Sequence, residues 1–186
     1  QGAVGFDIGG ARYGLRRLAT RSQQLSVGAV DFTSTVFKKD EVNMAGTKEW
    51  VVKGGTELYP MCGETFAKAG IKKIGVIGWG SQGPAQAQNL KDTLEGTDIT
   101  ISIGLREGSK SFADAEAVGF SKADGTLGDM FDVISQSDMV ILLISDGAQV
   151  KIYKEIFKAL KPSAVLGLSH GFLLGHLNSV GEDFPE

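Results

Sequence analysis

Residues 71–90, IKKIGVIGWGSQGPAQAQNL, carry Gly78, Gly80 and Gly83 in the spacing G-x-G-x-x-G. In a chain of 186 residues with 26 glycines such a triplet arises readily by chance, so its flanks must decide what it is. Upstream, residues 71–77 are short, rich in β-branched side chains and bounded by glycine, which predicts a buried strand. Downstream, residues 84–94 are mostly good helix formers, and Pro84 falls in a first turn, where a missing N–H is tolerated. Between a strand and a helix the three glycines have three separate reasons. Gly78 allows the tight turn, Gly80 lets the backbone approach a pyrophosphate, and Gly83 lets helix and strand pack closely. The helix dipole and its free N–H groups then face the phosphates.

Beyond this segment, residues 98–104 predict a second strand, residues 112–118 a second helix, and residues 137–144 the most hydrophobic strand. Thr126 is expected to cap a third helix running to Ile134, with Asp129 at the capping-box position. Residues 149–160 predict a helix ended at Lys161-Pro162, and residues 164–168 a further strand. Residues 32–69 read as a short β-rich extension, with a strand over residues 49–53 closed by Gly54-Gly55 and a helical turn over residues 64–69. Strands alternating with helices, with continuous apolar runs, specify an α/β domain. Its expected form is a doubly wound, Rossmann-type parallel sheet covered on both faces.

The first thirty residues differ in kind. Arg12, Arg16, Arg17 and Arg21 stand against a single acid, Asp7, which is the composition of an organellar transit peptide or of a disordered basic tail. The chain therefore reads as a leader over residues 1–30 and a nucleotide-binding domain over residues 31–186. A hydrophobic content of 42% with 22% charged residues is ordinary for a globular domain, and the net charge of −3 gives no general field for nucleic acid. No stretch approaches the length of a membrane span. Cys62 is the single cysteine, which excludes an internal disulfide.

In doubly wound folds, ligands bind beyond the carboxyl ends of the strands. Arg106 directly follows the second strand. An acid there would take the ribose hydroxyls of NAD, whereas an arginine accommodates a 2′-phosphate through its planar fork of donors. Ser109 and Ser111 add hydroxyls on the same turn, which favours NADP, with Glu107 as the rival ribose ligand. At the end of the most hydrophobic strand, Ser145, Asp146 and Gln149 either line the cofactor's ribose and nicotinamide edge or cap the next helix. His170 follows a further strand and is either structural or placed to donate, accept or shuttle a proton. His176, on an expected helix, reads as packing or surface.

GVIGWGSQGPAQAQNL, IGLREGSKSF, LLISDGAQ and LGLSHGFLLGHL, in this order and spacing, resemble ketol-acid reductoisomerase, also called acetohydroxy-acid isomeroreductase, in its plant and algal form. The resemblance runs over residues 32–185. It implies a part in valine, leucine and isoleucine biosynthesis, in which an alkyl group of 2-acetolactate or 2-aceto-2-hydroxybutyrate migrates. NADPH then reduces the resulting ketone to a 2,3-dihydroxy acid. It also implies that Gly78, Trp79, Gly80, Ser81, Gln82 and Gly83 form the pyrophosphate loop and that Arg106, Ser109 and Ser111 hold the 2′-phosphate. Ser145, Asp146 and Gln149 would line the cofactor, and His170 would be the active-site histidine. Plant relatives often carry alanine where Gly83 stands, and either residue is expected to fit.

The family binds two Mg²⁺ ions through carboxylates of a helical C-terminal domain. This sequence stops at Glu186, and none of its acids matches a family metal ligand. By resemblance the chain is the N-terminal NADPH-binding part, incomplete at its C-terminal end and inactive alone. A homo-oligomer in the complete enzyme, and a plastid rather than a mitochondrial location, follow from the same likeness. Two alternatives stay open from the residues. One is the cofactor domain of another NADP-dependent hydroxyacid dehydrogenase; the other is an NADP(H)-sensing domain without chemistry.

Overall fold

The computed structural model describes residues 32–184, so the expected leader over residues 1–30 lies outside it. The chain divides after Lys53 into two units. In the first, the expected strand over residues 49–53 lies within β2 (Thr47–Lys53), which pairs antiparallel with β1 (Lys38–Met44). β1 reads Lys-Lys-Asp-Glu-Val-Asn-Met, too polar to announce a strand, and cross-strand contacts hold it. The Lys39 ammonium lies 4.2 Å from the centre of the Trp50 ring, and Asp40 pairs with Lys53. The connection places Ala45 at φ 52° and Gly46 at φ 88°, the left-handed pair that a two-residue hairpin turn demands. Asn43 Oδ1 accepts from the Gly46 N–H at 2.9 Å.

The second unit opens with a 3-10 turn (Gly55–Met61) and α1 (Cys62–Lys68). Next come β3 (Lys73–Ile77), α2 (Gly83–Thr93), β4 (Thr100–Leu105) and α3 (Ser111–Ala117). They are followed by β5 (Leu127–Asp129), α4 (Met130–Gln136), β6 (Met139–Leu142), α5 (Asp146–Ala159), β7 (Val165–Leu168) and α6 (Phe172–Val180). The five strands make one parallel sheet in the spatial order β5-β4-β3-β6-β7. Counted within the sheet, that is the doubly wound order 3-2-1-4-5, whose direction reverses between β3 and β6.

Side chains alternate in direction along each strand and so feed two cores. Ile74 and Val76 of β3 and Ile101, Ile103 and Leu105 of β4 pack with Ala87 and Leu94 on one face. Ile77, Val140 and Leu142 pack with Val133 and Ile134 of α4 and with Tyr153 and Ile156 of α5 on the other. Full burial of a side chain of this size contributes roughly 1.5–3 kcal/mol. Under α4 the sheet is reduced to backbone. A Cβ on Gly104 would lie 3.1 Å from Met130 Cα and 3.2 Å from Val133 Cβ, and one on Gly75 would lie 2.5 Å from Ser137 Oγ. Gly75 and Gly104 are therefore needed for close helix–sheet contact rather than for an unusual turn.

Thr126 does not cap the third helix. Leu127–Asp129 is instead the edge strand β5, in register with Ile103 to Leu105 of β4, and α4 starts three residues later than expected. Asp129 is its cap, with Oδ1 accepting from the Phe131 N–H at 2.9 Å and the Asp132 N–H at 3.4 Å. The Thr126 hydroxyl accepts from the Ser121 N–H at 2.9 Å. Ladder pairing with a strand some twenty residues away overrode the local capping pattern.

At the amino ends of the strands, Asp138 ties three elements together. Its carboxylate accepts from the backbone N–H groups of Lys72 at 2.9 Å and Lys73 at 3.0 Å, and pairs with the Lys161 ammonium at 2.5 Å. Lys161 first, and then the Lys72 N–H, hold this carboxyl down from 3.8 to about 2, against the smaller opposing effect of burial.

Candidate dinucleotide site

The strand–turn–helix around the glycine triplet forms at the switch point of the sheet. The Gly78 N–H donates to the Gly104 carbonyl at 3.0 Å, and φ at Gly78 is +107°, a conformation that side chains rarely adopt. A Cβ there would lie 2.9 Å from the Leu143 carbonyl oxygen. At Gly80 the result is the opposite: a Cβ would meet nothing within 4 Å. No internal packing demands glycine at that position, so the room left there fits a group from outside the chain. Gly83 is buried, and its Cβ would stand 2.4 Å from the Gly78 carbonyl oxygen. Alanine does not fit this backbone as it stands, which corrects the expectation that either residue would serve. α2 begins with no acid in its first turn and no side-chain cap, leaving its positive end for an anion.

A cleft of about 410 Å³ opens in front of this turn. Gly78, Trp79 and Gly80 form one wall, Arg106, Ser109 and Ser111 a second, and Ser145 a third, over an apolar floor that includes Met130, Leu143, Ile144 and Ile152. Arg106 is exposed directly after β4 and has no carboxylate partner among the described residues. Its carbonyl accepts from the Ser109 N–H at 3.1 Å, and Ser109 Oγ accepts from the Ser111 N–H at 3.3 Å. This turn passes through Gly108 at φ 71° and presents the guanidinium and two hydroxyls on one side.

The remaining expected residues lie off the cleft wall. Ser81 and Gln82 are exposed on the way into α2, with Gln82 in the cap position. Gln149 is 4% exposed and its Nε2 donates to the Ile144 carbonyl at 2.9 Å, so it braces the end of β6. Asp146 is the first residue of α5. Its Oδ1 lies 3.3 Å from Nε2 of His170, beyond the end of β7. His170 Nδ1 accepts from the Phe172 N–H at 3.3 Å. His176 stacks edge-on against Tyr153, 5.4 Å between centres, as a packing residue. Sequence reading did not single out the apolar floor. Ala148 and Ile152, one turn apart on α5, carried the only local signal for it.

A hollow of about 440 Å³ lies between α1 and α2, lined by Tyr59, Cys62, Phe66 and Leu90 among others, and gathers none of the expected residues. Among the described residues no group of three or more His, Cys, Asp or Glu side chains could hold a metal ion, and no helix is long and apolar enough to cross a membrane.

A doubly wound sheet with a glycine turn at its switch point and a guanidinium after the neighbouring strand defines a Rossmann-type dinucleotide-binding domain. A family model described as acetohydroxy acid isomeroreductase, NADPH-binding domain, matches residues 70–180, and the chain belongs to that family. The chloroplastic ketol-acid reductoisomerase of Spinacia oleracea is 57% identical over 163 residues, which are 87% of this chain and 27% of that protein. That of Pisum sativum is 57% identical over 160 residues, 85% of this chain and again 27% of the relative. The chain thus spans about a quarter of the length of the curated relatives it matches. A solved NADH-preferring ketol-acid reductoisomerase from an uncultured archaean is 33% identical, covering 55% of this chain and 30% of that one. Its TM-score is 0.47.

Proposed function

We propose that this chain is the NADPH-binding part of a ketol-acid reductoisomerase that isomerises and reduces 2-acetolactate or 2-aceto-2-hydroxybutyrate to 2,3-dihydroxy acids. The observation that carries the reading is the Arg106 guanidinium, without a carboxylate partner among the described residues, beside Ser109 and Ser111 on the cleft wall in a domain of the matching family. The loop from Gly78 to Gly83 would hold the pyrophosphate at the start of α2, and Arg106, Ser109 and Ser111 the 2′-phosphate. Ser145 would line the ribose and nicotinamide side, and His170 would handle protons at the reacting oxygens. NADPH, when bound, supplies the hydride. The two Mg²⁺ ions expected of the family would polarise the substrate oxygens from ligands outside this chain. A homo-oligomeric complete enzyme, a leader over residues 1–30 and a plastid location complete the proposal, the last supported by relatives named chloroplastic.

The test is a fluorescence titration of the purified chain with NADPH and NADH, together with an activity assay containing 2-acetolactate and Mg²⁺. NADPH should bind at least tenfold more tightly than NADH, from the roughly 1.5–3 kcal/mol of a charge-assisted hydrogen bond, and no substrate-dependent oxidation should appear. Equal affinities would sink the assignment of Arg106. Turnover by this chain alone would sink the assignment of the metal site to another part of the protein.

A further inference from the structure

His170 and Asp146 come from different loops at the carboxyl end of the sheet, after β7 and after β6, and meet at 3.3 Å. The surroundings of the ring define its protons. Nδ1 accepts from the Phe172 N–H at 3.3 Å, so in the neutral ring the hydrogen sits on Nε2, the nitrogen that faces Asp146 Oδ1. The Phe172 ring stands edge-on to the imidazole, 6.3 Å between centres. Asp146 is itself held in place. It is the first residue of the fourteen-residue helix α5, whose positive end favours a carboxylate. The residues before it are fixed by bonds from the Ala148 and Gln149 N–H groups to the Ser145 carbonyl, both 2.9 Å, and from Gln149 Nε2 to the Ile144 carbonyl. Asp146 and His170 both stand off the cleft wall, next to each other at the carboxyl end of the sheet.

We infer that Asp146 is the positioning residue for His170. It receives Nε2–H and leaves Nδ1 as the nitrogen that takes and returns a proton. This rests on the reading of His170 as the proton-handling group. A substrate hydroxyl would displace the long Phe172 contact and pass its proton to Nδ1. The ring would become an imidazolium that keeps Nε2–H against the Asp146 carboxylate, and the same proton would later return from Nδ1 to oxygen. The side chains are about half exposed, 54% and 47%, so the pair contributes orientation more than stability.

Two measurements test this. In the ¹⁵N-labelled chain, NMR should show His170 unprotonated at Nδ1 and protonated at Nε2 when neutral, and Asp146→Ala should shift the Nε2 resonance. A ring protonated at Nδ1, or an Nε2 resonance unmoved by Asp146→Ala, overturns the pairing whatever His170 does in catalysis. In the complete reductoisomerase, Asp146→Ala should lower kcat about tenfold or more while the NADPH Kd changes less than about threefold. The double variant with His170→Ala should be no slower than His170→Ala alone, because both changes remove one device. Additive losses, or a tenfold weaker NADPH Kd, would make Asp146 an independent cofactor ligand and overturn the inference. If His170→Ala itself changes kcat less than about threefold, the proton-handling role fails and the inference with it, while the NMR result still reports on the pair.

Discussion

The two ends of the parallel sheet use charged and polar residues in opposite ways. At the amino ends, Asp138 is fully engaged. Two backbone N–H groups and the Lys161 ammonium converge on it and join β3, β6 and the loop before β7. At the carboxyl ends, Arg106 has no carboxylate partner among the described residues, the Ser145 hydroxyl makes no cap bond, and a Cβ at Gly80 would meet nothing within 4 Å. Groups left without internal partners around a cleft are available to a ligand, whereas a carboxylate with all its partners inside the chain contributes to folding. In this molecule the distinction separates the two ends of the sheet more clearly than residue type does, since both ends carry acids, bases and hydroxyls.

Four substitutions distinguish the two ends, from the largest expected effect downward. Gly104→Leu should cost about 3 kcal/mol in urea unfolding, because the new side chain must displace the α4 backbone at Met130. A loss under about 1 kcal/mol would mean that α4 is not seated on backbone as described. Arg106→Ala should leave unfolding nearly unchanged and weaken NADPH by ten- to a hundredfold, with little effect on NADH. Equal losses for both cofactors would make Arg106 a support of the fold and bring Glu107 back as the ribose ligand.

Asp138→Asn tests the opposite end and should cost about 1–2 kcal/mol at pH 7, a figure already reduced for a side chain one-quarter exposed. The sign follows from the folded value, about 2, lying below the ordinary 3.8. The folded state favours the carboxylate, so this stability is complete above the ordinary value and disappears as pH falls through about 2. Wild type and variant should therefore converge in acid, as read by urea midpoints across that window. NADPH affinity at pH 7 should not move.

The smallest effect lies in a pair of caps. Asp129→Ala should lower stability by about 1 kcal/mol, since its carboxylate caps α4. Ser145→Ala should lower it by less than about 0.3 kcal/mol, well under the usual cost of losing a serine cap, because the hydroxyl makes no such bond here. A full capping loss at Ser145 would show that its hydroxyl belongs to the helix and not to the cleft.

What could be read from residues alone was set by short-range requirements. The turn at Gly78, the strand before it and the helix after it follow from a few neighbouring positions, and so does the placement of Arg106, Ser109 and Ser111 just past a strand. The alternation of strands and helices named the doubly wound class, because continuous apolar strands must be covered on both faces. β1 escaped notice because its residues are polar and only its partner makes it a strand. Thr126 misled for the mirror-image reason: a sound local cap pattern lost to pairing at the sheet edge.

Short-range sequence therefore set the class of fold, the glycine turn between β3 and α2, and the position of Arg106, Ser109 and Ser111 just past β4, since each depends on φ, spacing or period within a single element. Long-range packing fixed that Gly83 leaves no room for alanine against the Gly78 carbonyl and that Gln149 turns inward to brace Ile144. It alone brought Asp146 to His170 across 24 positions of chain and Lys161 to Asp138 across 23. Such contacts are set by how the sheet orders its strands, and strand order depends on the packing of every layer at once, which no local window of sequence contains.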